Sequence, residues 1–140
     1  MIYNLERFII AQEKNYDAAL SELTAGKKQS HWMWYIFPQL EGLGRSETAQ
    51  YYGIKDISEA QGYLSHPILG SRLISVSKAV LEHNDKTAKD IFGFPDYLKL
   101  HSSMTLFASL ATSDVVFNQV LKKYFDGKKD LNTTRLLTKQ

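Results

Sequence analysis

The sequence predicts an all-α fold, a compact single-domain bundle of about seven or eight helices, several of them short. Apolar residues recur every three or four positions along most of the chain, which is the period of a helix that buries one face. Residues that favour helix starts, and glycines that favour helix ends, punctuate these stretches. Strand-like alternation is nearly absent. Because no repeat or linker interrupts the pattern, residues 1–140 are expected to form one helical domain.

The N-terminal part of the chain predicts two amphipathic helices, over residues 5–12 and 16–25. Asn15 is a candidate N-cap of the second helix, and Gly26 is suited to end it. Residues 32–37 are apolar on both alternating faces, and such a run forms either a strand or a buried helix.

The remaining helices are bounded by capping residues, prolines and glycines. A short helix is expected to be capped by Ser46 and ended by Gly53, and the next to start with a capping box at Ser58 and break near His66. A longer helix is expected over residues 67–83, with Leu69, Leu73, Val76 and Val80 as its core stripe. The last four are expected over residues 87–92 before Gly93, over residues 96–110, from a cap at Ser113 or Asp114 to Gly127, and over residues 132–138.

Composition excludes several classes of function. Seventeen basic residues oppose fifteen acidic ones, and this net charge of +2 does not predict nucleic-acid binding. The absence of cysteine excludes disulfides and thiolate chemistry, and the four histidines lack metal-ligand spacing, so no metal or other cofactor is expected. No secretory signal and no membrane-spanning apolar run is visible, which predicts a cytoplasmic protein without membrane contact. None of these features sets an oligomeric state.

An aromatic segment, residues 28–40, is the first candidate site. Trp32 and Trp34 offer faces on which a nucleobase could stack, and core packing is the alternative. Lys28 and Ser30 supply polar groups at one end of the segment. His31 either lines a pocket or donates a hydrogen bond to a backbone carbonyl.

Two further clusters carry polar groups. Gly44, Arg45 and Ser46 form either an anion site at a helix start or an ordinary loop and cap. The predicted helix over residues 96–110 carries Lys99 with the hydroxyls of Ser102, Ser103 and Thr105. These hydroxyls either form a polar wall for a ligand or bond to carbonyls one turn back. Arg72, beside the core stripe of its helix, either meets a phosphate or extends its charge to solvent.

Three sequence blocks resemble the bacterial family called domain of unknown function 1810. They are SHWMWYIFPQL with the following GLG over residues 30–44, HPILGSRL over residues 66–73, and the stretch from Ile91 through SSMTLF at residues 102–107. The resemblance implies a compact helical domain and supplies no activity. A more distant similarity to the NADAR group, whose domains are linked to NAD and ADP-ribose metabolism, rests on the tryptophan segment and residues 60–73.

These observations lead to two hypotheses. The first is a small-ligand binding protein or enzyme for a phosphate-bearing, ADP-ribose-like or nucleotide-derived compound. Trp32 or Trp34 would then stack on the base, and Ser102 and Thr105 would bind ribose hydroxyls. The candidate phosphate-binding residues are Lys28, Arg45, Ser46, Arg72 and Lys99, with backbone amides near Gly44. His31 and Ser103 are the candidate catalytic residues. The second hypothesis is a non-catalytic, protein-binding or regulatory module in which the same residues form a core and a partner groove.

Overall fold

A computed structural model describes residues 3–140 of the chain, and this part contains nine helices and no strand. The all-α prediction is therefore confirmed, with nine helices rather than seven or eight. The helices are α1 (Glu6–Ala25), α2 (Met33–Ile36), α3 (Glu47–Tyr52), α4 (Ile57–Ser65), α5 (Leu69–Leu81), α6 (Ala88–Phe92), α7 (Asp96–Ala108), α8 (Val115–Phe125) and α9 (Leu131–Thr138).

Two helices, α5 and α7, organise the core. Helix α7 packs against α4, α6, α8 and α9, while α5 packs against α1, α4 and α8. The predicted α5 stripe of Leu69, Leu73, Val76 and Val80 is buried throughout. Helix α7 contributes Leu100 and Phe107, which are both fully buried.

The two helices predicted before Gly26 are one continuous helix, α1. Asn15 does not cap a second helix, because its side chain donates back to the Ala11 carbonyl at 3.4 Å inside α1. The buried residues Phe8, Gln12, Ala19 and Leu23 share one face, so a single register serves the whole helix. Gly26 ends α1 as predicted, in the left-handed conformation with φ 85°.

Some helix starts were predicted and others were missed. Ser46 and Asp114 cap α3 and α8 through their side chains, as expected, whereas Thr87, predicted as the first residue of its helix, caps α6. The predicted capping box at Ser58 is wrong, since Asp56 caps α4 by accepting from the Glu59 amide at 2.9 Å.

Helix α5 begins at Leu69 rather than at Pro67. The ring Nδ1 of His66 accepts from the backbone amides of Ile68 and Leu69 at 3.1 and 3.3 Å, just before this start. The imidazole thereby satisfies amides that have no partner inside the helix.

A buried ion pair fastens the helices near the chain start. Arg7 lies 3.1 Å from Glu59, and the two side chains are 5% and 0% exposed. The guanidinium also donates to the carbonyls of Tyr51 at 2.8 Å and Gly53 at 3.0 Å. Since a buried charge needs several partners to offset its lost hydration, these bonds fix α3 and α4 against α1.

The aromatic segment forms the single helical turn α2, not a strand. Its position is set by Glu22 of α1, which accepts hydrogen bonds from the amides of Gln29 and Ser30, the Ser30 hydroxyl and the Trp32 indole. Partial burial raises the pKa of Glu22, but these bonds outweigh it and lower the pKa to about 2. Trp32 is fully buried, with Phe37 and Phe92 against its ring.

Replacing Glu22 with Gln is expected to lower the free energy of unfolding at pH 7 by about 1–2 kcal/mol, since a partly exposed carboxylate loses its charge-assisted bonds. The folded-state pKa of about 2 lies below the reference value of 4.5. The contribution is therefore complete above pH 4.5 and is lost as the pH falls toward 2. Urea unfolding of both proteins at a series of pH values measures it. Glu13→Gln, an exposed glutamate of the same helix, is the control. A Glu22→Gln deficit that stays constant down to pH 2 would contradict the assignment.

A close backbone contact at the α4–α5 corner makes a second prediction. A Cβ added to Gly70 would lie 1.9 Å from the Leu64 carbonyl oxygen, whereas one on Gly62 would meet the nearest side chain, Leu5, at 3.7 Å. Gly70→Ala should therefore cost about 2 kcal/mol or more, because backbone must move. Gly62→Ala, the same change inside α4, should be neutral or stabilise by up to about 1 kcal/mol. Equal unfolding midpoints for the two variants would show that the corner relaxes freely.

Candidate functional site

Two lysines from distant parts of the sequence meet at one carboxylate. Lys28 follows α1, and its amine lies 2.9 Å from Asp96 Oδ2 at the start of α7. Lys99, one turn along α7, places its amine 3.6 Å from Asp96 Oδ1. The three side chains together carry one net positive charge. Lys28 is also fixed through its backbone amide, which donates to the Ile91 carbonyl at 2.7 Å.

Each lysine lies over one tryptophan. The Lys28 amine is 5.0 Å from the ring centre of Trp32, and the Lys99 amine is 5.1 Å from that of Trp34. Both distances suit cation–π attraction. Trp32 is buried in the core, whereas Trp34 is half-buried, so only the second pair reaches the surface.

Lys99 lies at the edge of a surface cavity of about 300 Å³ between α7, the start of α9 and the loop after α2. The cavity is lined by Gln39, Leu43, Gly44, Pro95, Leu98, Lys99, Ser102, Asp130 and Asn132. Its volume is at the lower end of the range for small-molecule sites. The lining combines one cation, two side-chain amides, a hydroxyl and a carboxylate, which together offer hydrogen bonds of both kinds.

An aromatic shelf, which we define as Trp34, Tyr35, Tyr51 and Tyr52, lies beside Lys99, whose amine is over the Trp34 ring. Lys99, Gln39 and Trp34 line a smaller pocket of about 10 Å³ between the cavity and this shelf, and that volume holds about one water. The shelf itself borders an open depression of about 520 Å³. Burial raises the pKa values of Tyr35 and Tyr52.

The loop beneath the cavity is fixed by backbone pairing and by glycine. Residues 39–41 and Ile54 form an isolated parallel bridge, with the Ile54 amide donating to the Gln39 carbonyl at 2.9 Å and the Glu41 amide to the Ile54 carbonyl at 2.8 Å. A Cβ on Gly44 would lie 2.5 Å from that of Ala49. Gly44 therefore lets the loop approach α3 and brings Gln39 to the cavity.

The hydroxyls of α7 are mainly structural. Ser102 and Thr105 donate to the carbonyls of Leu98 and His101 one turn back, at 3.2 and 2.8 Å. Both also tie α7 to Asp130, because Ser102 donates to its carboxylate at 3.3 Å and Thr105 accepts from its amide at 2.9 Å. This is the back-bonding alternative, although Ser102 still lines the cavity.

Ser103 differs from its neighbours. It is fully buried, and its hydroxyl is the one buried side-chain polar atom without a hydrogen-bond partner among residues 3–140. It does not line the cavity, so the structure separates this candidate catalytic residue from Lys99.

The structure brings some of the predicted site residues together and leaves others apart. Lys28, Trp34, Gly44, Lys99 and Ser102 lie at or next to the cavity. Ser30 and Trp32 instead donate hydrogen bonds to the Glu22 carboxylate, and the Thr105 hydroxyl accepts one from the Asp130 amide.

Four predicted residues lie outside this group. His31 is exposed, and its carbonyl accepts from the Tyr35 hydroxyl at 3.3 Å. Arg72 lies on α5, 4.9 Å from the Tyr16 ring centre. Ser46 caps α3, and Arg45 is exposed beside an open depression that shares Gly44 with the cavity.

Sequence reasoning missed several residues of the cavity. Gln39, Asp130 and Asn132 are distant from Lys99 in sequence and no motif joins them. Asp96 carried one usable signal, since it precedes Lys99 by three positions on a predicted helix, where opposite charges meet. Asp130 carried another, since it precedes the last predicted helix and caps α9.

Among residues 3–140, no group of three or more metal-ligating side chains comes together. No helix in the same range has the length and apolar character needed to cross a membrane.

Comparison with known proteins gave a family and a solved structure, and a search of curated proteins gave no match. The crystal structure of the conserved hypothetical protein Rv1873 from Mycobacterium tuberculosis is 46% identical, with 97% of each chain covered and a TM-score of 0.95. The sequence model of the family described as protein of unknown function (DUF1810) matches residues 2–137. The resemblance carried by the three sequence blocks is thus confirmed, and the chain belongs to the DUF1810 family.

Proposed function

We propose that this domain binds a small phosphate-bearing ligand, nucleotide-derived or ADP-ribose-like, in the cavity beside Lys99. The single observation that carries the proposal is the position of the Lys99 amine. It lies between an aromatic face, 5.1 Å from the Trp34 ring centre, and the polar cavity that it lines. A nucleotide offers the same kinds of parts, since a hydroxyl-rich sugar joins its flat base to its anionic phosphate.

Each part of such a ligand finds complementary chemistry. Lys99 supplies a point charge for phosphate, and the Lys28–Asp96–Lys99 group has a net positive charge to offer. Gln39 and Asn132 provide amide donors and acceptors, and Asp130 provides a carboxylate acceptor for sugar hydroxyls.

The aromatic shelf extends the site toward the base. Tyr51 is 57% exposed and meets Tyr52 edge-on with ring centres 4.8 Å apart. An exposed aromatic face next to a cation favours a nucleobase, because stacking contributes about 1–3 kcal/mol per base. Trp34 takes the stacking role expected of the tryptophan segment, while Trp32 stays in the core.

The cavity volume limits the part of the ligand that it encloses. About 300 Å³ holds a sugar phosphate or a single nucleotide portion rather than a whole dinucleotide. A longer ligand such as ADP-ribose would leave its base outside, over the aromatic shelf. The proposal concerns binding and assigns no role to His31 or Ser103, since neither lines the cavity.

Thermal unfolding with ADP-ribose, AMP and ribose 5-phosphate tests the proposal. A ligand at a hundred times its dissociation constant adds about 2.7 kcal/mol, which raises the unfolding midpoint of a chain this size by about 5–10 °C. We expect such a shift with at least one of these ligands and its loss in Lys99→Ala, because the variant removes the phosphate-binding cation. Lys122→Ala, an exposed lysine of α8, is the charge-matched control and should keep the shift.

The proposal would be abandoned if none of the three ligands shifted the midpoint, or if Lys99→Ala and Lys122→Ala kept the shift equally. Calorimetric titration of the same pair of variants gives the affinities directly. A larger shift with AMP than with ribose 5-phosphate would support base stacking on the aromatic shelf.

The protein-binding alternative has one observation in its favour. Phe94 is 71% exposed, Leu98 44% and Leu131 75%, and they adjoin or line the cavity. Exposed apolar side chains near one another often mark a partner surface. If this function is correct, a partner protein binds the native chain and does not bind the double variant Phe94→Ser, Leu131→Ser. The unfolding midpoint should then not change with any of the three ligands.

A further inference from the structure

The two lysines that share Asp96 are held to different degrees. Lys28 has 8% of its side chain exposed, and its amine makes a short 2.9 Å contact with Asp96. The same amine donates to the Ser30 carbonyl and lies over the Trp32 ring. Lys28 therefore has partners on several sides and little freedom to move.

Lys99 is held loosely by comparison. Its amine is 3.6 Å from Asp96, longer than the roughly 2.7–2.9 Å of a charge-assisted hydrogen bond, and 24% of its side chain is exposed. Its amine also lies over the face of Trp34, which accepts no conventional hydrogen bond. The ammonium thus keeps donors for a group that enters the cavity.

We infer that Lys28 is a positioning residue that occupies Asp96 and so leaves Lys99 available to an anionic ligand. Without Lys28, the whole carboxylate charge faces Lys99, which lies three residues along the same helix, a spacing at which opposite charges pair. The local net charge then falls from one positive charge to zero. This inference rests on the proposed function of the cavity, since the ligand is the partner for which Lys99 is kept.

Chemical acetylation of the ligand-free protein tests the arrangement directly. Sulfo-N-hydroxysuccinimide acetate reacts with free amines, and peptide mass spectrometry gives the rate at each lysine. Lys28→Met should slow acetylation of Lys99 by about threefold, the scale of a partly exposed ion pair. Asp96→Asn, with or without Lys28→Met, should make Lys99 react faster than in the native chain. Lys122 on α8 is the internal reference in every sample.

Affinity for ADP-ribose gives the second measurement. Lys28→Met should weaken binding by about threefold or more, and adding Asp96→Asn to it should restore binding, because Lys99 is then released again. A purely structural role for Lys28 predicts the opposite, since the second change cannot repair lost packing. Lys28→Gln, which keeps a hydrogen-bond donor without the charge, should behave as Lys28→Met does and guards against a folding defect.

The acetylation rates and the binding affinities distinguish the positioning role of Lys28 from the proposed ligand class. If Lys28→Met leaves the acetylation rate of Lys99 unchanged or raises it, the positioning role is overturned whatever the ligand. If that rate falls as expected but ADP-ribose binds neither the native chain nor the rescued variant, the positioning role stands for Lys99 and the proposed ligand class is wrong. If binding is lost in Lys28→Met and Asp96→Asn does not restore it, Lys28 acts through packing alone.

Discussion

The site depends on the hydrogen bonds made by the carboxylate of Glu22. It accepts hydrogen bonds from two backbone amides, a hydroxyl and an indole of the turn that leads into α2, so that four donors converge on one side chain. An ionised acceptor binds such donors more strongly than a neutral one. Fixing Ser30 and Trp32 in this way also fixes Lys28 before them and Trp34 after them.

A second set of contacts holds the other side of the cavity. Arg7 pairs with Glu59 in the interior and binds the carbonyls of Tyr51 and Gly53, which determines how the chain leaves α3. Immediately afterwards Ile54 forms the bridge that holds the Gln39 carbonyl. The cavity wall is therefore attached to α1 twice, once through Glu22 and once through Arg7, although α1 itself does not line it. Such remote support keeps a small site in place without filling it.

Much of the fold could be predicted because helix boundaries are local. Ser46 and Asp114 cap their helices through bonds made within a few residues, and the α5 stripe follows from spacing alone. The errors occurred where a nearby group competed. At Asn15 the chain continues as helix α1 instead of starting a new helix. At the start of α4, Asp56 rather than Ser58 accepts from the first backbone amides. Neither competition is decided by residue preference, since tertiary contacts select between two acceptable local structures.

The site was less predictable because its parts meet only in three dimensions. Lys99, Ser102 and Gly44 were expected from local chemistry, and they line the cavity. Gln39 and Asn132 were not, since an amide in a loop gives no sign of what it faces. Asp130 was missed for another reason: it caps α9 and lines the cavity at once, and the first role is enough to explain its presence in a sequence.

The two tryptophans show why the form of the aromatic segment decides the site. In a strand, residues two apart point to the same side, so Trp32 and Trp34 would be buried together or exposed together. The single turn of α2 separates them instead, since successive residues rotate by about 100°. One ring enters the core and the other borders the cavity, each with a lysine about 5 Å away. Both lysines pair with Asp96, so the buried lysine–tryptophan pair and the surface pair share one carboxylate. The packing of Trp32 and Lys28 in the core therefore influences the position of the Lys99 charge at the surface.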